Sequence, residues 1–129
     1  MKVLLSAVLK TEYSIQFNRL FYKRFVEDGN ITLFSPHEVT DLYDKFFSDT
    51  EEFIKLYEKY ERSRSIFKRE ISARKLFMHF CQERIETGRM YVMNVDNTNE
   101  HSSFTDTVYM SNLCQEITLP TDPITHIDD

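Results

Sequence analysis

Tryptophan is absent, glycine occurs only twice and proline three times. So little of either excludes collagen-like and flexible-linker compositions, and it leaves few places where the backbone can turn at positive φ without strain. Cysteine is also scarce. Cys81 and Cys114 stand far apart, without CxxC spacing or clustered histidines, so neither a disulfide framework nor a zinc site is signalled. Reduced thiols in a cytoplasm, of a cell or of an infected host, are the simplest expectation. No stretch approaches the ~20 consecutive apolar residues of a membrane span, and the opening MKVLLSAVLK lacks the cleavage site of a secretory signal. Positive charge in excess is missing too. With a formal net charge of −5, neither nucleic acid nor an anionic membrane is an expected partner.

What is present is aromatic and apolar. Eleven Phe, seven Tyr and a hydrophobic content of 41% over 129 residues argue for a packed chain about one domain long. From about Glu12 to Glu27, Phe17, Leu20, Phe21 and Phe25 recur at helical spacing, and Gly29-Asn30 supplies a stop. Ser35, Pro36 and Glu38 then form the pattern of a capping box for a second helix that buries Val39, Leu42, Tyr43 and Phe46. A third starts at Asp49, with Glu52 three residues on, and buries Phe53, Leu56, Tyr57 and Tyr60. A longer helix is predicted from about Ser65 to Thr87, closed by Gly88.

Arg62, Arg64, Lys68, Arg69, Arg74 and Lys75 crowd the start of that long helix. Glu58, Glu61 and Glu70 interleave with them, which favours a solvated helix face over a phosphate-binding patch. Cys81 follows Phe80 on an amphipathic helix, where a free thiol behaves as a small hydrophobe, and His79 beside it reads as a surface residue. After Gly88 the character changes. RMYVMNVD is short and β-prone, NTNEHSSFTD is polar and turn-forming, and TVYMSNLCQEITLP reads as a second extended segment.

Within that last segment an extended backbone would put Asn112, Cys114 and Glu116 on one face and Leu113 and Ile117 on the other. An amide, a thiol and a carboxylate pointing one way suit a reaction in which sulfur does the reactive step, the amide orients a hydroxyl and the carboxylate moves a proton. The residues leave two chemistries open. A thiolate nucleophile needs a nearby histidine, for which His101 and His126 are the local candidates, and neither forms a known signature with Cys114. A thiyl radical needs a water-excluded cavity and an external oxidant.

Four stretches carry a family resemblance: DGNITLFSPHEVTDLYDKFF, EEFIKLYEKYE, CQERIETGRMYVMNVDNTNEHSSF and, most specific, SNLCQEITLPT. In that order they make the chain, from about Tyr13 onward, similar to an internal piece of the large subunit of class I ribonucleotide reductase. The resemblance implies an α/β fold: helices leading into a partial piece of a ten-stranded α/β barrel whose reactive cysteine sits on a central finger loop. It divides the single segment into a divergent start (1–11), a mainly helical part (12–88) and a barrel strand with the cysteine-bearing finger loop (89–129). Motif by motif, Cys114 resembles the cysteine that becomes a transient thiyl radical and removes the 3′ hydrogen of the ribose. Glu116 would accept the proton of the 3′ hydroxyl, and Asn112 would hydrogen-bond the substrate and assist loss of the 2′ hydroxyl.

The resemblance also states what this segment does not carry. The family's reducing cysteine pair would fall before Met1 and after Asp129. The nucleotide-sensing sites for ATP and deoxynucleotide effectors, most barrel strands and the radical-relaying tyrosines lie elsewhere. No cofactor is expected to bind this segment, whereas the intact family needs a metal-tyrosyl radical in its small subunit and a thioredoxin- or glutaredoxin-type reductant. The expected partners are the remaining segments of the large chain, the small subunit and a ribonucleoside diphosphate. An isolated chain of this kind is expected to be inactive and, with unpaired edges and bare apolar faces, poorly stable. The competing reading is a non-catalytic helical interaction module or truncated remnant; a thiol hydrolase is a third.

Overall fold

Tyr13, Ile15 and Phe17 alternate with Ser14 and Gln16, and this period of two opens the fold as strand β1 (Tyr13–Phe17) in the computed structural model, which describes residues 12–123. The helix expected over Glu12–Glu27 is therefore confined to its second half. Asn18 ends the strand and caps α1 (Arg19–Val26), its side-chain oxygen accepting the Phe21 N–H at 3.1 Å. Phe17 fits both periodicities, and the cap decides where one gives way to the other.

Strand β2 (Asn30–Phe34) follows the turn at Gly29 and pairs antiparallel with β3 (Lys68–Ser72), in register from Asn30 opposite Ser72 to Phe34 opposite Lys68. This pairing takes the first turns of the long helix expected from Ser65. The helix α4 (Ala73–Thr87) starts later, with the Ser72 hydroxyl accepting the Lys75 N–H at 3.3 Å, and stops at Gly88, whose φ of 68° is left-handed. The basic cluster is consequently spread over three elements instead of one helix face. Arg62 pairs with Glu58 at 3.2 Å, Arg74 with Asp28 at 2.8 Å, and the Lys68 ammonium donates to the Ser63 carbonyl at 2.7 Å and to that of Glu61. Lys68 thereby satisfies carbonyls at the end of the preceding helix.

The second helix, α2 (Thr40–Ser48), also starts later than its capping pattern predicts. The Glu38 N–H donates to the Ser35 carbonyl at 3.0 Å, so Ser35, Pro36 and Glu38 form a turn ahead of the helix, and Val39, buried at the N-cap, contributes no side-chain cap. Asp49 caps α3 (Thr50–Arg62) as expected, accepting the Glu52 N–H at 3.0 Å. Strand β4 (Met90–Asn94) lies parallel to β1, from Tyr13 opposite Met90 to Phe17 opposite Asn94. Helix α5 (Val95–Glu100) then occupies part of the stretch expected to be irregular.

Among the described residues there are two two-stranded sheets and no closed barrel, an α/β arrangement consistent with a partial piece of the reductase barrel. Leu20, Val39, Leu42, Phe53 and Tyr57 form one core cluster; Phe17, Phe21 and Ala73 form a second. A third, made of Phe47, Met93, Val95 and Val108, draws the segment after α5 against β4 and α2. Buried Asp96 ties the helix starts together: it accepts the Arg19 N–H and, at 2.9 Å, the Thr50 hydroxyl. Large apolar side chains nevertheless stay bare, notably Val26 at 78%, Phe67 at 79% and Ile85 at 85% exposure.

Candidate functional site

Two side-chain amides lead the chain from the core to the cysteine-bearing segment. Asn99 of α5 donates to the Val95 and Val108 carbonyls at 3.2 and 3.1 Å and accepts the Val108 N–H at 2.8 Å. Gln16 of β1 donates to the Tyr109 carbonyl at 2.8 Å, and the Tyr109 ring packs edge-on against Phe47. Val108, fully buried, is thus pinned on both its polar groups and its side chain. Neither amide stands out in the sequence: Asn99 lies in a polar run that reads as loop, and Gln16 in one that reads as helix.

Beyond this anchor the backbone departs from the expected extended course. The Gln115 N–H returns to the Asn112 carbonyl at 3.1 Å, and Gln115 has a φ of 67°. Residues 112–115 form a turn, so the alternation that would align Asn112, Cys114 and Glu116 on one face does not hold. Asn112 is half-buried, while Cys114 and Glu116 are exposed. Asn112 and Cys114 share the turn, but the polar bonds of Asn112 go to Ser111, Gln115 and Ile117, and none goes to Cys114 or Glu116 among the described residues.

The Asn112 carboxamide oxygen accepts the Ile117 N–H at 2.9 Å and lies 3.0 Å from the Ser111 hydroxyl, which also reaches the Ile117 carbonyl. The Gln115 side-chain amide donates to the Asn112 carbonyl at 3.1 Å, and its own oxygen is buried with no partner among the described residues. Facing the turn from β4 is Tyr91. The neighbouring Cys114, and after it Glu12, push its phenol up to about 12. Sequence spacing gives no sign of this contact, because β4 meets the turn only in the folded chain.

The other candidates are dispersed. His101 follows α5 and is exposed, His79 is exposed on α4, Cys81 is half-buried there, and His126 lies outside the described residues. Among the described residues no three His, Cys, Asp or Glu side chains gather where they could hold a metal ion. Nor is any helix there long and apolar enough to cross a membrane.

The sequence profile of the ribonucleotide reductase barrel domain matches residues 7–127, beginning inside the stretch that reads as a divergent start. The ribonucleoside-diphosphate reductase subunit alpha of Buchnera aphidicola subsp. Schizaphis graminum is 48% identical over 121 residues, covering 92% of this chain and 16% of that protein. The ribonucleoside-diphosphate reductase 1 subunit alpha of Escherichia coli is 50% identical over 116 residues, covering 88% and 15%. The corresponding subunit alpha of Enterobacteria phage T4 is 41% identical over 121 residues, covering 91% and 16%. The chain therefore spans about a sixth of the length of these curated relatives. With a profile match across nearly its whole length, and a mixed α/β fold to suit it, the chain belongs to the ribonucleotide reductase barrel-domain family.

Proposed function

We propose that this chain is the cysteine-bearing part of a ribonucleoside-diphosphate reductase large subunit, with its single segment divided as the resemblance divides it. The observation that carries this reading is the turn itself: SNLCQE, anchored through Gln16 and Asn99, presents a thiol on the same turn as an amide whose donor arm meets no partner among the described residues. Cys114, as a thiyl radical, takes the 3′ hydrogen of the ribose and leaves the radical on carbon. Glu116 accepts the proton of the 3′ hydroxyl. Asn112 hydrogen-bonds the substrate while the 2′ hydroxyl departs as water. Two electrons and two protons come from a dithiol elsewhere in the large chain, recharged by a thioredoxin- or glutaredoxin-type protein, and the Cys114 thiol then returns its hydrogen to the 3′ carbon and regenerates the thiyl radical.

In this reading the oxidising equivalent for Cys114 arises in the small subunit, whose metal-tyrosyl radical supplies it. The partners are that subunit, the remaining barrel segments and a ribonucleoside diphosphate, in a cytoplasm. Closing the barrel brings the three side chains into one cavity, since Cys114 and Glu116 stand in the open here.

Co-expression with the complementary large-chain segments and a small subunit, followed by assay of ribonucleoside diphosphate reduction, tests the proposal. Turnover that disappears with Cys114→Ser is expected. Turnover that survives the substitution rejects the radical role, and no association with the complementary segments rejects the reading of this chain as a working part of a large subunit. In that case the bare side chains of Val26, Phe67 and Ile85 favour the second reading, a non-catalytic interaction module or remnant.

A further inference from the structure

We propose that Ser111 is a positioning residue for Cys114, acting through the Asn112 carboxamide as a clasp across the base of the turn. The inference rests on Cys114 being the reacting thiol. Its geometric part concerns this chain alone.

The clasp joins the two ends of residues 112–117. The Ile117 N–H donates to the Asn112 Oδ1 at 2.9 Å, and the Ser111 Oγ lies 3.0 Å from the same oxygen while also contacting the Ile117 carbonyl. Ser111 thus joins Asn112 in bridging both ends, its single hydroxyl proton going to one of the two acceptor oxygens at a time. Inside the loop, the Gln115 backbone and side-chain N–H groups both converge on the Asn112 carbonyl at 3.1 Å. These bonds hold Gln115 at a φ of 67°, a left-handed conformation that an L-residue with a side chain adopts only when its surroundings compensate. The turn is closed by hydrogen bonds, since Leu113 and Ile117 are exposed and contribute no core packing there.

Of the two carboxamide arms only the oxygen can accept a backbone N–H, so the Ile117 bond fixes which way the Asn112 amide faces and turns Nδ2 toward a ligand. With Oδ1 facing the Ile117 N–H and the Ser111 hydroxyl, Asn112 offers a substrate its Nδ2 hydrogens, which suit an acceptor oxygen. Cys114 lies between the clasped ends, and Glu116 immediately precedes one of them. Losing the Ser111 hydroxyl therefore loosens the spacing of all three groups at once, without removing any of them.

The full chain carrying Cys81→Ser, so that Cys114 is the sole thiol, is compared with Ser111→Ala and Ser111→Thr by amide exchange and backbone chemical shifts. Ser111→Ala is expected to raise Ile117 amide exchange about fivefold or more, and to move the Cys114 and Gln115 shifts toward random-coil values. Ser111→Thr keeps the hydroxyl and is expected to stay close to the parent. In the reconstituted reductase, Ser111→Ala is expected to lower kcat with KM little changed. Ile117 exchange within twofold of the parent in Ser111→Ala, or Thr behaving like Ala, overturns the clasp. A parent complex without turnover overturns the reductase reading instead, and the exchange result still decides on Ser111.

Discussion

The Tyr57 hydroxyl both accepts the Thr32 N–H at 2.6 Å and donates to the Thr32 carbonyl at 2.7 Å. A side chain from α3 thereby satisfies both main-chain groups of a buried residue in β2, a strand whose sheet has one other member among the described residues. The phenol does for that edge what a further strand would otherwise do. Tyr57→Phe keeps the ring in the core cluster and leaves two buried polar groups unmet. A loss of about 1–3 kcal/mol is expected, read from the urea midpoint at unchanged m.

Burial is also the main reason that Tyr57 is pushed up to about 12, with the nearby Glu61 adding to it and the Thr32 bonds opposing. A pKa raised in the folded state means that the folded chain holds its proton where the unfolded chain has released it. The stabilisation is thus present below the unfolded value near 10 and falls as pH rises from there toward 12. Alkaline unfolding followed by circular dichroism should show this fall in the parent and a shallower one in Tyr57→Phe. Equal slopes would assign it to other groups.

Asn99 is the pin between α5 and the segment leading to the cysteine. Asn99→Asp preserves the acceptor for the Val108 N–H but removes the donors to the Val95 and Val108 carbonyls. Asn99→Ala removes all three bonds. Stability is expected to fall in the order parent, Asp, Ala, by about 1 kcal/mol or more for Ala. Val108 amide exchange measures the local part of it, and an unchanged Val108 in Asn99→Ala would reject the pin.

The two thiols differ in access, Cys114 being exposed on a turn and Cys81 half-buried on α4. Substoichiometric iodoacetamide under native conditions should therefore label Cys114 ahead of Cys81, with the preference lost in denaturant. Peptide mapping by mass spectrometry gives the ratio. Preferential labelling of Cys81 would mean that the turn folds back on the thiol in solution.

Phe67 and Ile85 are exposed and belong to none of the three core clusters. Ile85→Lys or Phe67→Lys should leave the thermal midpoint of the isolated chain within about 2 °C, because little packing is lost. If complementary barrel segments cover these side chains, either charge weakens association severalfold in pull-down or calorimetric titration. Unchanged association would place the joining surface elsewhere.

The amino-acid sequence by itself determined the family motifs, the caps at Asp49 and Gly88 and the β4 strand, and it offered Asn112, Cys114 and Glu116 as the candidate reactive side chains. Each of these is a local signal, a short spacing that acts within a few residues of its effect. What tertiary structure decided is where local signals compete. Residues 13–17 fit a strand and lead into a helical pattern, and pairing with β4 selects the strand. Residues 68–72 continue a helical pattern, and pairing with β2 removes them from it. The SNLCQE segment alternates like a strand, yet among the described residues it has no partner strand, and its own amides close it into a turn. Long-range backbone pairing outweighs local propensity because every buried N–H and C=O must find a partner, and a period read along the chain cannot say which distant segment supplies it.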